Sequence, residues 1–364
     1  MNNRIWAFFL LGGVVLSTAF LASCRKHKMD MDDDMSGMGG MEKNFNFPAV
    51  FVVNGESNSI SVIRMSDNVV VDSIALAMPG MGSMGMWPHH ISLYSSGNSR
   101  RLAVALPGMD LSAGHGGQTG GMAGALMVLD AEKGTMQKSL SLPDMNHNAT
   151  FSPDGSEIWT SQMNSGKVLV YDAQTYALKN TITVGADPAE VTFSSGGSKA
   201  YVANGGDDNV MVINPASKTV TATIPVGDEP VAAWVGFDGK MYVDNEMGET
   251  VSVIDVATNA VVQTISLGFM PGSVAHNLQK NELWVTDPDN GKVHYWNRSG
   301  NQWVHGGVFD AAAGAHAVAF TADGTVAYVT NQMARSVSVI NVNTHSKIRD
   351  VAVGLKPNGI LIKN

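Results

Sequence analysis

The sequence predicts an all-β fold, a seven-bladed β-propeller with four antiparallel strands in each blade. Three observations predict it. A unit of about 42 residues recurs from Pro48 to the end of the chain. Each unit holds four short alternating apolar runs separated by Gly, Asn and Asp turns, the period-two pattern of half-buried strands. The two ends are also complementary. The C-terminus supplies one strand, 359–363, and the N-terminus supplies three, 49–53, 59–63 and 69–76. Together they make one blade, which ties the ring shut and removes an open edge.

One unit shows the plan. Asp187-Pro188-Ala189-Glu190-Val191-Thr192-Phe193-Ser194 opens it, Lys199-Ala200-Tyr201-Val202-Ala203-Asn204 follows a Gly-Gly turn, and Asn209-Val210-Met211-Val212-Ile213-Asn214 comes third. Thr219 to Gly227 closes it. The residue after the leading Pro, or its equivalent, falls at His89, His147, Ala189, Val231, Gly272, His316 and Asn358. Seven markers with four strands each give seven blades. The first interval is longer because blade two carries a Gly/Met insertion at 107–124.

The quartet Tyr328-Val329-Thr330-Asn331 has variants at Tyr201-Val202-Ala203-Asn204, Tyr242-Val243-Asp244-Asn245 and Phe51-Val52-Val53-Asn54. On these motifs, residues 47–364 resemble the YVTN-family (YncE-like) propeller proteins, here in a lipoprotein. The resemblance implies the fold and leaves the activity open. More distantly, such propellers are similar to the propellers of cytochrome cd1 nitrite reductase and nitrous oxide reductase. That likeness implies a cofactor-dependent oxidoreductase as one alternative, although three registered histidines are too few for a multinuclear copper cluster.

The chain of 364 residues has one Cys and 22 Met. A single Cys excludes a disulfide framework and any multi-Cys metal site. Its place explains it. Arg4 and the apolar run Ile5–Phe20 form a secretory leader, too short to span a membrane comfortably, and Leu21-Ala22-Ser23-Cys24 matches the bacterial lipobox. Residues 1–23 therefore read as a lipoprotein signal peptide and Cys24 as the lipidation site. Residues 24–46, rich in Met, Asp and Gly, read as a disordered tether. The expected location is extracytoplasmic, with the lipid anchor holding the domain to a bacterial membrane, at the outer membrane, its periplasmic side or the cell surface. The net charge of −9 argues against a nucleic-acid partner.

In a propeller the first strand of each blade lines the central channel, and its N-terminal end meets one face of the disc. His89, His147 and His316 share that register, in blades two, three and seven, and Asn358 of blade one lies between them. Imidazoles converging at a channel mouth are good metal ligands. His90 is either a further ligand or an inter-blade packing residue. The loops joining the second and third strands lie on the same face and carry Met163, Met247 and Met333 at one register. Met78, Met81, Met84 and Met86 run into Trp87-Pro88-His89-His90, and the blade-two insertion adds Met109, His115 and Met122. Met145 and Met270 lie in other loops of that face, which brings the total there to eleven. Gly-flanked loop methionines have no core to fill, and thioether with imidazole is a soft ligand set that suits copper.

His276, His294, His305 and His345 fall outside the shared register and read as surface or inter-blade residues. No Gly-x-Ser-x-Gly elbow, P-loop, His-Glu-x-x-His or Cys-x-x-Cys-His motif is present. The expected function is therefore non-catalytic: an envelope binding protein whose face of His89, His90, His115, His147, His316, Met84, Met86, Met163 and Met333 holds a soft metal, copper first. The alternative from a different class is a protein-interaction scaffold whose Met-rich loops contact an envelope partner.

Overall fold

The computed structural model of the chain describes residues 43–77, 86–97, 99–112 and 123–364. The leader, Cys24 and the tether as far as residue 42 lie outside the described residues, as do Met78, Met81, Met84, His115 and Met122.

Alternation of apolar and polar side chains gives short strands, and the described residues form 28 of them in seven four-stranded antiparallel sheets. Six sheets are meanders of consecutive strands, at 91–141, 149–183, 188–225, 230–266, 274–310 and 315–352. In the remaining one, blade one, Pro357–Lys363 pairs antiparallel with Ala49–Asn54 (Ala49 opposite Lys363), and Ser59–Arg64 and Val69–Ala75 follow. The chain ends thus meet inside one sheet, as the complementary termini predicted.

A sheet with two apolar faces must cover both, and a ring of sheets does so face against face. Each blade packs on the next through its own apolar layer, and the layers run round the whole ring. Trp159, Val168 and Ile182 of blade three meet Val191, Phe193 and Val202 of blade four. Trp284 and Phe309 of blade six meet Ala327, Val329 and Ile340 of blade seven. Tyr328, Val337 and Val339 of blade seven meet Val50, Val52 and Ile63 of blade one, which closes the circle. Packing begins before residue 47. Phe45 is buried in the layer between blades one and two, and its backbone N–H donates to Glu132 O at 2.7 Å.

The repeated quartet has a physical meaning here. Tyr328 and Val329 fill the inter-blade layers. The Thr330 hydroxyl donates to Asn358 O at 2.9 Å, across the junction to blade one. Asn331 Nδ2 donates to Ser336 and Ser338 (3.1 and 2.9 Å) and ties the hairpin that follows. Asn54 does the same with Ser59 and Ser61, and Asn245 with Thr250 and Ser252. The Val-Gly that ends a unit packs flat on this Asn. A Cβ on Gly227 would lie 2.8 Å from Asn245 and one on Gly354 2.6 Å from Asn54, distances that only Gly permits.

A buried histidine cluster at the channel mouth

The inner strand of blade two is Ile91–Ser96, and the two residues before it are already locked. His89 N donates to Ala105 O at 3.0 Å, and Ala105 N donates to His90 O at 3.1 Å. Blade one adds Gly359 N to His89 O at 2.9 Å, a contact so close that a Cβ on Gly359 would stand 2.6 Å from that oxygen. Hydroxyls on the second strand of one blade reach the carbonyl of the marker residue in the next. Ser161 reaches Ala189 O (2.5 Å), Thr286 reaches His316 O (2.7 Å) and Thr330 reaches Asn358 O. This girdle fixes the ring of marker residues.

Three histidines converge. Ring centroids are 4.4 Å apart for His89 and His90, 4.5 Å for His89 and His147, and 4.8 Å for His90 and His147. One donor nitrogen from each lies within 4.8 Å of the others, so the three can hold a metal ion. Tetrahedral Zn–N or Cu–N bonds of about 2.0–2.1 Å place ligand atoms roughly 3.3 Å apart, so binding requires only rotamer-scale closure. His89 and His147 are each 1% exposed.

His316 stands further back, its ring 5.8 Å from His89 and 6.2 Å from His90, and it is not one of the three. Of the histidines expected at this face, His90 stands with His89 and His147, and His316 lies further out. The reason is geometric. His89 and His90 are consecutive and stay adjacent to His147 of the next blade, whereas blade one separates His316 from them. Asn358, on that intervening blade, accepts a 2.6 Å hydrogen bond from Gln332 and serves as a polar spacer.

The methionines divide differently from the expectation that loop thioethers have no core to fill. Met86 is buried among Phe45, Phe51 and Leu106 in the layer between blades one and two. Met163 is buried with Leu111 and Met145 in a small apolar cluster, and Met109 packs on it. Met86 therefore fills an inter-blade layer, and Met163 sits in apolar packing that the loops themselves create. Met333 is 64% exposed, with its sulfur 3.6 Å from Lys356 Nζ, and Met247 and Met270 are also exposed.

Sequence reasoning missed Glu190. Its Oε1 lies 3.0 Å from His90 Nε2 and 3.3 Å from His147 Nδ1, and the residue is 4% exposed. A buried carboxylate oxygen this close to two imidazoles is placed to orient their rings, as carboxylates commonly do behind metal-ligating histidines. The signal was present one residue after the markers, where His90, Asn148 and Glu190 occur in three consecutive blades. Trp234 and Asp244 of blade five complete the wall. Trp234 Nε1 and Ala232 N donate to Asp244 Oδ1 at 3.1 and 3.0 Å. Burial, with Glu246 and Glu190 adding to it, holds the Asp244 carboxyl well above the usual carboxylate range.

Three further histidines among the described residues make structural contacts away from this cluster. His345 stacks on Tyr295 at 3.8 Å and lies 3.2 Å from Glu282. His294 stacks on Phe269 at 4.3 Å, and burial lowers its pKa. His276 accepts a hydrogen bond from Phe237 N at its Nδ1.

A closed seven-bladed propeller with buried imidazoles at its channel mouth is the class of protein that fold and site define. Residues 139–359 match the Choice-of-anchor I domain, and the chain belongs to that family. Solved structures share the fold at low identity. A functionally unknown protein from Desulfotomaculum acetoxidans is 14% identical with a TM-score of 0.69, over 86% of this chain and 98% of that one. The periplasmic gluconolactonase of Pseudomonas aeruginosa is 18% identical with a TM-score of 0.69, over 87% and 99%. Dihydro-heme d1 dehydrogenase NirN, in complex with DHE, is 13% identical with a TM-score of 0.59, over 86% and 74%. No curated protein matches this sequence. Among the described residues no helix is long and apolar enough to cross a membrane.

Proposed function

We propose that this chain is an extracytoplasmic metal-binding propeller, held at the envelope by a lipid on Cys24. One divalent transition ion sits at the channel mouth on His89, His90 and His147. The observation that carries the reading is the mutual approach of three buried imidazole donors within 4.8 Å. Imidazole suits Cu, Zn, Ni and Fe, and copper(II) binds tightest to such a set in the divalent series. Copper thus remains the leading ion for a nitrogen site rather than for the thioether set first expected. His316 and Glu190 act behind the ligands. The lipobox and the family's anchoring name support the location.

The test is metal analysis of the purified chain after loading with copper(II) and removal of excess. One copper per chain is expected, and a His89→Ala/His147→Ala double variant should retain less than about a tenth of it. Equal copper in both proteins overturns the assignment.

A haem-type oxidoreductase is less well supported, because the channel cavity beside the cluster measures about 140 Å³. Ligand pockets for molecules of drug size need about 300–1,000 Å³. Exposed Met247, Met270 and Met333 favour a second role for this face as a contact surface for an envelope partner. It predicts that deleting 107–124 releases a co-purifying protein without changing metal content.

A further inference from the structure

We infer that the metal-binding mouth is open on its channel side and takes one small exogenous ligand there, a monoanion no larger than a few heavy atoms. The inference rests on the metal reading above and names what that site binds.

Three imidazoles leave a fourth tetrahedral position, the mark of zinc and copper centres that admit an outside ligand. The position has somewhere to point. A cavity of about 140 Å³ lies in the channel against the cluster, and His90 and Glu190 form part of its wall. At roughly 30 Å³ per water it holds about four water-sized groups. A linear triatomic anion fits.

The rest of the wall is mixed: Ser92, Thr150 and Thr192 supply hydroxyls, Val191, Val318 and Ile360 supply apolar surface, and Trp234 stands on one side. Ser92 Oγ is buried there and has no hydrogen-bond partner, an O–H available to an acceptor. Asn148 is tied down by two bonds to the Val191 backbone (2.9 and 3.1 Å), which keeps this part of the cavity wall in place. Charge selects the class. With neutral imidazoles, a divalent ion and the Glu190 carboxylate leave one net positive charge beside the cavity, which a monoanion balances.

The experiment titrates the copper(II)-loaded chain with sodium azide, following the azide-to-copper charge-transfer absorption and the copper paramagnetic resonance, with copper content measured in each sample. A saturable change at one azide per copper is expected. Thr192→Phe, which fills the channel, should keep its copper and bind azide at least about tenfold more weakly. Ser92→Val, a milder change, should weaken it about threefold to tenfold through the lost hydroxyl. Copper bound at one per chain that does not respond to azide overturns this inference and leaves the metal reading standing. Azide binding that is equal in the wild type and both variants overturns it as well. A chain that binds no copper overturns both readings together.

Discussion

Among single side chains, Glu190 has the largest leverage on the mouth. One buried oxygen lies within 3.0 and 3.3 Å of imidazoles from two blades, a position from which it can bias both rings across the junction between blades two and three. Glu190→Gln should leave the fold intact and weaken copper affinity about 10- to 100-fold in a competition titration; unchanged affinity would show that the carboxylate is only a spacer. Asp255 illustrates an ordinary surface acid. Lys240 at 2.9 Å, and the Thr258 N–H and hydroxyl, pull its pKa down to about 2. A depressed folded-state pKa contributes stability that is complete above the unfolded value of about 3.9 and is lost as pH falls through about 2. The site is near the surface, so its worth is under about 1 kcal/mol. Asp255→Asn should therefore cost up to about 1 kcal/mol at pH 7, and the difference from the parent chain should fade as pH falls from about 3.9 through about 2, as read by denaturant midpoints. A residue-scale reading of the sequence found His89 and His147 because a repeat superimposes them. It missed Glu190 because only the marker register was compared, and the neighbouring register carried the second half of the site.

At the scale of the blade, the repeat explains itself through a few bonds made many times. Blades three and six share a Glu-x-Trp pair, in which Trp159 Nε1 donates to Glu157 (3.0 Å) and Trp284 Nε1 donates to Glu282 (2.9 Å). Both indoles are fully buried at inter-blade layers. Trp284→Ala should cost about 3–5 kcal/mol, since it opens a cavity and removes one of the two groups that reach Glu282. Chemical denaturation measures this, and a loss below about 1 kcal/mol would mean that the blades pack less tightly than they do here. The quartet Asn is a smaller test. Asn331→Ala removes bonds to Ser336 and Ser338 and the acceptor for Ala312 N, and should cost about 1–3 kcal/mol by the same measurement. Blade boundaries were legible because β-runs, Asp-Gly turns and Val-Gly endings recur with the period. The methionine placement was not. Whether a Gly-flanked loop folds onto itself depends on contacts between loops distant in sequence, such as Leu111 with Met145 and Met163, and no local pattern encodes them.

For the whole molecule, closure governs both stability and function. The last strand, Pro357–Lys363, supplies the inner edge of blade one, brings Gly359 against His89 O, and buries Lys363, whose Nζ donates to Phe47 O at 3.0 Å. Burial lowers that lysine's pKa, so its charge is maintained at a cost that the closed ring supports. Removing 357–364 should open the ring, lower the melting temperature by more than about 10 °C, and abolish copper binding along with it; a truncated chain that melts like the intact one would contradict the closure. The ring also decides what the site can be. Seven inner strands converge on one channel, and that convergence is what brings imidazoles from two blades together at its mouth.

The most direct test of this account is a crystal of the copper-soaked chain with data collected on either side of the copper absorption edge. The account predicts one strong anomalous peak at the channel mouth, about 2.0–2.2 Å from a ring nitrogen of each of His89, His90 and His147. Absence of a peak there, or a stronger one on the exposed methionines Met247, Met270 or Met333, would contradict it.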